Sequence, residues 1–526
     1  MFKTDTNYVN GKIYTMAREG EIISAFSVLN GKIVAAGTSE EIAAIPAKET
    51  VDLQSRTVLP GFQDTHCHIG ETTEDSKKIN LVKTRSLDDV LSVLSDVLVK
   101  KQYAKWIIAY NINSALLKEN RLPDRHDLDK VSGTVPIFVT SYCGHNYTCN
   151  TAALKAFGFD RNFKGDEKHS LDRDANGDPT GLIREHSLLN YINKIKPSAL
   201  GTHEDCKDAL VQVLKDFSSK GITTVHTCDG MDGSYCDEPA IYQALEQEQR
   251  LPMRVVFDRW HSAHNMLGAV SGFGSDKIKY GAVKLLTDGS FSEWSACLKE
   301  DYSDRKGCRG IPIYTDEKLL ELMGDAYEEG DDLAVHAIGD AAVEQFLQTV
   351  RKIYDPSRKQ QFRLIHATFS RPEQMDEMTK YPIIIDTQPM FLPNMALMGT
   401  PRLGSRARWM LPFKSMFDRG LIVTGGDDSP VCNNNPFLGI RYAVTRECSA
   451  GSSNLFFPEE CLSVYQAVSM YTRNASYDEH EEKIKGTMEE GKLADFIVLD
   501  RDIFKIPTKE ISDIKVIGTY IGGKKV

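Results

Sequence analysis

The feature that most constrains this chain is an alternation. Short apolar segments at Thr57–Leu59, Ile137–Thr140, Thr223–His226, Arg254–Phe257, Ala282–Leu286, Leu333–His336, Arg363–His366, Ile383–Thr387 and Leu421–Thr424 recur along it. Between them lie stretches of helical periodicity such as Asp316–Glu329 and Ala341–Tyr354. Strands that alternate with helices imply βαβ units and a parallel sheet. Around eight units over about 400 residues fit an α/β fold of the (β/α)8 TIM-barrel type better than an open sheet.

The two ends have another texture. Asn10-Gly11 and Asn30-Gly31 each separate apolar runs, and Asn-Gly is a strong hairpin signal. The last forty or so residues repeat this pattern, with Phe496-Ile497-Val498-Leu499 and Thr519-Tyr520-Ile521 as strand candidates. Chain termini often lie close together, so both ends are expected to build one small β-sandwich. The expected domains are 1–58 and 471–526 as the two parts of that sandwich, and 59–470 as the barrel. Residues 75–135 and 165–181 read as insertions near the barrel mouth.

Charge narrows the partners. Lys plus Arg is 63 and Asp plus Glu is 74, a net −11, with no basic block. Such a chain is a poor general binder of nucleic acid or anionic membrane. No stretch approaches the roughly 18 to 20 apolar residues of a membrane-spanning helix. Met1-Phe2-Lys3-Thr4-Asp5 lacks an apolar signal core, and eleven cysteines without CxxC pairing read as reduced thiols. A cytoplasmic location is the expectation, with a small-molecule substrate as partner and self-association into a homo-oligomer left open.

The sharpest local signal is Pro60-Gly61-Phe62-Gln63-Asp64-Thr65-His66-Cys67-His68. Two histidines at i and i+2 on an extended segment share a face, so both imidazoles can reach one metal ion. By itself the pair is as compatible with chance as with a metal site. His336 and His366 each end a strand candidate, and Asp428 follows Leu421–Thr424; barrel enzymes place catalytic groups at such strand ends. Lys284 lies inside the apolar run Ala282-Val283-Lys284-Leu285-Leu286, where a charged amine is costly unless paired or chemically altered. A partner close by in sequence is Asp288. Cys67 points away from its histidine neighbours and reads as a small apolar filler.

The ordered series resembles the metal-dependent amidohydrolase superfamily, in particular its family-3 branch, which contains N-substituted formamide deformylases. The resemblance runs from Leu59–His68 through Cys143-Gly144-His145-Asn146, Thr180–Glu185, Gly221–His226, Val283–Ser290 and Val335–Asp340 to Gly491-Lys492-Leu493-Ala494-Asp495. It implies a metal held by His66, His68 and Asp428, and a second held by His336 and His366. It also implies a carboxylated Lys284 bridging the two. Four imidazoles with two oxygen donors suit zinc, one or two ions, with other divalent metals as alternatives. Asp428 is then the expected proton shuttle in hydrolysis of a linear, formamide-type C–N bond.

His145 and His226, at strand ends, are candidate substrate contacts, each as readily structural, and Trp294 is a candidate for an apolar substituent. The chain departs from the branch at Ile365, at Glu293-Trp294-Ser295 and at Asp427, which leaves the ligand set whole and unsettles the substrate. Rival readings are a cyclic amide hydrolase, a heterocycle deaminase and a non-catalytic binding protein. Deaminases typically carry Glu three residues after the strand-5 histidine, where this chain has Gly339.

Overall fold

A computed structural model describes residues 3–102, 105–142, 146–164, 170–184, 188–197, 199–200, 202–229, 239–262, 268–292 and 294–526. Its central element is an eight-stranded parallel sheet, nearly closed, in simple sequence order. The strands are β1 (Phe62–Cys67), β2 (Ile222–Thr227), β3 (Arg254–Trp260), β4 (Ile278–Leu286), β5 (Leu333–Ala337), β6 (Phe362–His366), β7 (Ile383–Thr387) and β8 (Ile422–Gly425). The edge strands are joined by loop backbone: Asp428 N–H donates to His66 O at 2.8 Å and His68 N–H to Ser429 O at 2.8 Å.

The connecting helices form where expected. Asp316–Glu329 is capped by Thr315, whose hydroxyl accepts from Lys318 N, and it ends at Gly330 in the left-handed region that glycine tolerates. Asp340–Ile353 buries Ala342, Val343, Phe346, Leu347 and Val350, an i, i+3, i+4 stripe that turns toward the sheet. Strands of a sheet covered in this way need apolar residues on both faces, which is why they read as continuous runs.

Two expected barrel strands belong elsewhere. Thr57–Pro60 pairs with Phe496–Leu499 and Lys12–Tyr14 in a six-stranded sheet drawn from both chain ends. A four-stranded sheet, containing Thr4–Val9 and Ala25–Leu29, comes from the N-terminal end alone. Tyr8, Phe26, Val28, Val58, Phe496 and Val498 share one apolar core, so residues of both sheets and both ends pack together.

The second misplacement is larger. Ile137–Ser141 lies between Ile107–Ile112 and Asn146–Cys149 in a separate six-stranded sheet spanning residues 79–184. Residues 70–213 with 230–241 form a compact unit of their own. Its core includes Leu94, Ile107, Leu128, Ile137 and Val139. The two insertions expected at 75–135 and 165–181 therefore fall inside one compact unit. An apolar strand carries no mark of the sheet it will join. Among the described residues no helix is long and apolar enough to cross a membrane, and no disulfide joins the described cysteines.

Candidate metal centre

The C-terminal ends of β1, β4, β5, β6 and β8 bring His66, His68, Lys284, His336, His366 and Asp428 into one neighbourhood. His66 Nε2 and His68 Nε2 lie 3.4 and 3.2 Å from the same oxygen, Asp428 Oδ1. Lys284 Nζ is 3.3 Å from His66 Nε2. The ring centroids of His66 and His366 are 5.5 Å apart, and those of His336 and His366 are 4.5 Å apart.

These spacings discriminate between two kinds of contact. Charge-assisted N–H···O bonds run at about 2.7–2.9 Å, shorter than either histidine–aspartate contact. Ligands about 2.0–2.1 Å from a tetrahedral zinc are separated from one another by about 3.3–3.4 Å. The donors stand at the edge lengths of a coordination polyhedron, and the residues present fit a divalent ion. His66, His68 and Asp428 form a group able to hold one.

Three of the four imidazoles are oriented by their other nitrogen or ring face. His68 Nδ1 meets Cys228 O at 2.6 Å and His366 Nδ1 meets Gln388 Oε1 at 2.6 Å. The His366 ring also stacks on Phe391 at 5.7 Å. His336 Nε2 sits 3.3 Å from Gly289 O and 3.3 Å from Asp288 Oδ1, so Nδ1 is the nitrogen that could ligate an ion. Partners of this kind fix ring orientation and tautomer in metal sites. His66 Nδ1 is buried without a hydrogen-bond partner.

Backbone geometry brings the carboxylate in. Asp428 has φ 57° and His366 φ 71°, left-handed conformations that non-glycine residues adopt at a cost and that cluster at functional sites. Gly426 passes so close to β1 that a Cβ there would come within 2.7 Å of His66 N. Asp427, the departure from the family pattern, accepts Ser429 N–H at Oδ1 and donates its own N–H to Asp64 Oδ1. Both carboxyls are buried, and burial pushes their pKa values up.

Electrostatics favours neutral imidazoles, the form that ligates. Burial, reinforced by Lys284 and the neighbouring rings, pulls His66 well below the usual histidine range. Burial and the charge of His336 do the same to His366. Burial also lowers the Lys284 amine, although Cys228 and Asp428 oppose it. Burial alone would raise Asp428, but the neighbouring His68 and His366 rings and the Lys284 amine hold it low.

The local partner that sequence offered for Lys284 is otherwise engaged. Asp288 accepts the N–H groups of Cys297, Ile338 and Gly339 at 2.8–3.0 Å. His226 is fully buried, with Nε2 2.8 Å from Glu479 Oε1 in a chain of charges that continues through Lys485. Trp294 is half-buried at φ 54°; its indole N–H donates to Asp304, and the Arg402 guanidinium lies 3.5 Å from its ring centroid. Ile365 packs with Ala282 and Ala334. His145, Glu185 and Glu293 lie outside the described residues. Gln388 escaped sequence reasoning, although its place just after the apolar β7 carries the same strand-end signal as His366.

The model of the Amidohydrolase family matches residues 49–526. A Bacillus subtilis (strain 168) protein named as an amidohydrolase, YtcJ, is 30% identical over 98% of both chains. The N-substituted formamide deformylase of Arthrobacter pascens is 25% identical over 99% of this chain and 97% of its own. An uncharacterized metal-dependent hydrolase from Pyrococcus furiosus superposes with a TM-score of 0.78 at 26% identity, over 95% of this chain and 100% of that one. Another from Pyrococcus horikoshii OT3 gives a TM-score of 0.80 at 24% identity, over 96% and 99%.

Proposed function

Because the chain belongs to the amidohydrolase family, we propose that it hydrolyses a linear, formamide-type C–N bond of a small molecule, other than a peptide, with one or two zinc ions. His66, His68 and Asp428 would hold one ion, and His336 and His366 the other, with a carboxylated Lys284 between them. The observation that carries this reading is the 3.2–3.4 Å spacing of His66, His68, Asp428 and Lys284 donor atoms. When bound, zinc polarises a carbonyl and lowers the pKa of its water to around 7.

The chain's own residues supply the rest. Asp428, held low by the neighbouring His68 and His366 rings despite its burial, is ready to accept a proton from the attacking water. The same carboxyl then returns the proton to the departing nitrogen. Lys284, an amine whose burial favours the uncharged form, can attack carbon dioxide: a C–N bond forms, one proton leaves and a carbamate anion remains. His226, bound to Glu479, fits a positioning role better than a direct hold on the carbonyl.

Gly339 weighs against the deaminase reading. A Cβ at this position would stand 1.9 Å from Cys297 O, so the backbone leaves no room for a glutamate. The formamide preference draws on the name of the Arthrobacter pascens relative. A panel of N-substituted formamides, N-acyl amines and hydantoins, offered to zinc-loaded protein, tests it. Turnover of formamides, with a loss of roughly 10²–10⁴-fold in Asp428→Asn at unchanged zinc content, is the expected result. Turnover of hydantoins alone would move the assignment to cyclic amides. Full activity in a metallated Asp428→Asn protein would remove Asp428 as the shuttle.

A further inference from the structure

Two segments at the C-terminal face of the sheet touch the pair His336 and His366, and one arginine ties them together. The loop after β4 reaches His336 through Gly289 O. That loop is tightly folded: Gly289 N–H and Ser290 N–H donate to Ser295 O and Oγ, and Ser295 N–H returns to Ser290 O. The segment after β7 reaches His366 through Gln388 and Phe391, then continues into the helix Leu392–Leu403.

Arg402, in the last turn of that helix, turns back to the β4 loop. Its Nε donates to Phe291 O at 3.0 Å, its Nη2 to Ser292 O at 3.3 Å, and its Nη1 to Asp304. The guanidinium carbon also lies 3.5 Å from the centroid of the Trp294 ring, and Trp294 Nε1–H donates to Asp304 Oδ1 at 3.1 Å. Ser303 N–H donates to Arg402 O at 2.8 Å, so the tie runs through backbone as well. A planar fork that bonds in several directions while stacking on an indole is particular to arginine; lysine offers the charge without the geometry.

We propose that Arg402 is a positioning residue that clamps the β4 loop to the β7 segment and so holds His336 and His366 at the separation a second metal ion requires. This rests on the two-ion reading given above. Trp294 becomes the seat of the clamp, held at its left-handed backbone angle by the ring's contacts with Arg402 and Asp304. His66, His68 and Asp428 sit on β1 and the β8 loop, outside the clamp, so the first ion should be indifferent to it.

Calorimetric titration of metal-free protein with zinc chloride, paired with thermal melting of the same samples, tests this. The wild type should bind two ions. Arg402→Met should melt close to wild type when metal-free, bind the first ion unchanged and bind the second about 10–100-fold more weakly. Arg402→Lys should fail to restore the second affinity, and carries the test if Arg402→Met does not fold. With cobalt(II) in place of zinc, the visible spectrum of the second equivalent should change in the variant. Two ions bound with wild-type affinities in Arg402→Met, or in Arg402→Lys, would overturn the clamp alone. A wild-type protein that binds one ion or none would overturn the two-ion reading, and the clamp with it.

Discussion

Lys284 Nζ lies 3.3 Å from His66 Nε2, while Asp288, four residues along from the lysine, spends its oxygens on three backbone amides. A buried amine beside an imidazole nitrogen rather than a carboxylate gains little as an ammonium, since burial already opposes its charge. Conversion to a carbamate changes it from a buried amine into an oxygen donor. Lys284→Ala should therefore lose more than about 10²-fold in turnover, at least the cost of disturbing a metal's supporting residues. Millimolar short-chain carboxylic acids should restore part of it by standing in for the carbamate. Wild-type protein kept in ¹³C-bicarbonate should show a carbamate resonance that Lys284→Ala lacks. Wild-type turnover by Lys284→Ala, or no such resonance in the metal-loaded protein, would refute the bridge.

The candidate ligands were legible because their signals are local. A period of two puts His66 and His68 on one face, and a histidine closing an apolar run marks the end of β5 or β6. Lys284 stood out as a charge inside a buried strand. Asp258, Arg363 and Asp386 break their strands in the same way, yet their meaning depends on pairing across β3, β6 and β7, residues up to 128 positions apart in the chain. Closure of the sheet creates those pairs, and no window along the sequence contains them. Ile137–Ser141 shows the same limit from the other side, since its apolar run would suit either sheet. Gln388 was passed over because a glutamine after a strand is chemically unremarkable until His366 is seen to lean on it.

His480 offers a pH-dependent test away from the ligands. Its Nε2 lies 3.1 Å from Asp332 Oδ2 at the start of β5, and Nδ1 meets Gln361 Nε2 at 2.8 Å. The hydrogen bond to Asp332 raises the histidine pKa above its usual 6.5, with burial opposing and the charges of Asp332 and Glu482 adding to the rise. A raised folded-state pKa means that the folded chain holds the proton more tightly than the unfolded one. The stabilisation is complete below pH 6.5 and disappears as pH climbs through the raised folded value. Melting temperature of the wild type relative to His480→Gln should therefore fall as pH rises above 6.5. A difference that stays constant or grows over that range would show that the pair contributes nothing through the proton.

Arg363 supports the sheet from within. The guanidinium is 1% exposed and bonds Asp258 at 2.9 Å, Asp386 at 2.9 Å and Thr65 O at 2.6 Å, with Asp478 3.8 Å from Nε. One cation thus compensates carboxylates from β3, β7 and the segment near residue 478, directly below the strand end that presents His366. Breaking a buried pair by removing one partner costs about 3–5 kcal/mol, because the remaining charge has no water to turn to. Arg363→Met should lose about that much in denaturant unfolding, even though methionine fills much of the space. Part should return in Arg363→Met with Asp258→Asn, since one orphaned charge is then removed. An Arg363→Met protein with wild-type stability would mean that this network is neutral to the fold, and that β6 holds His366 in place without it.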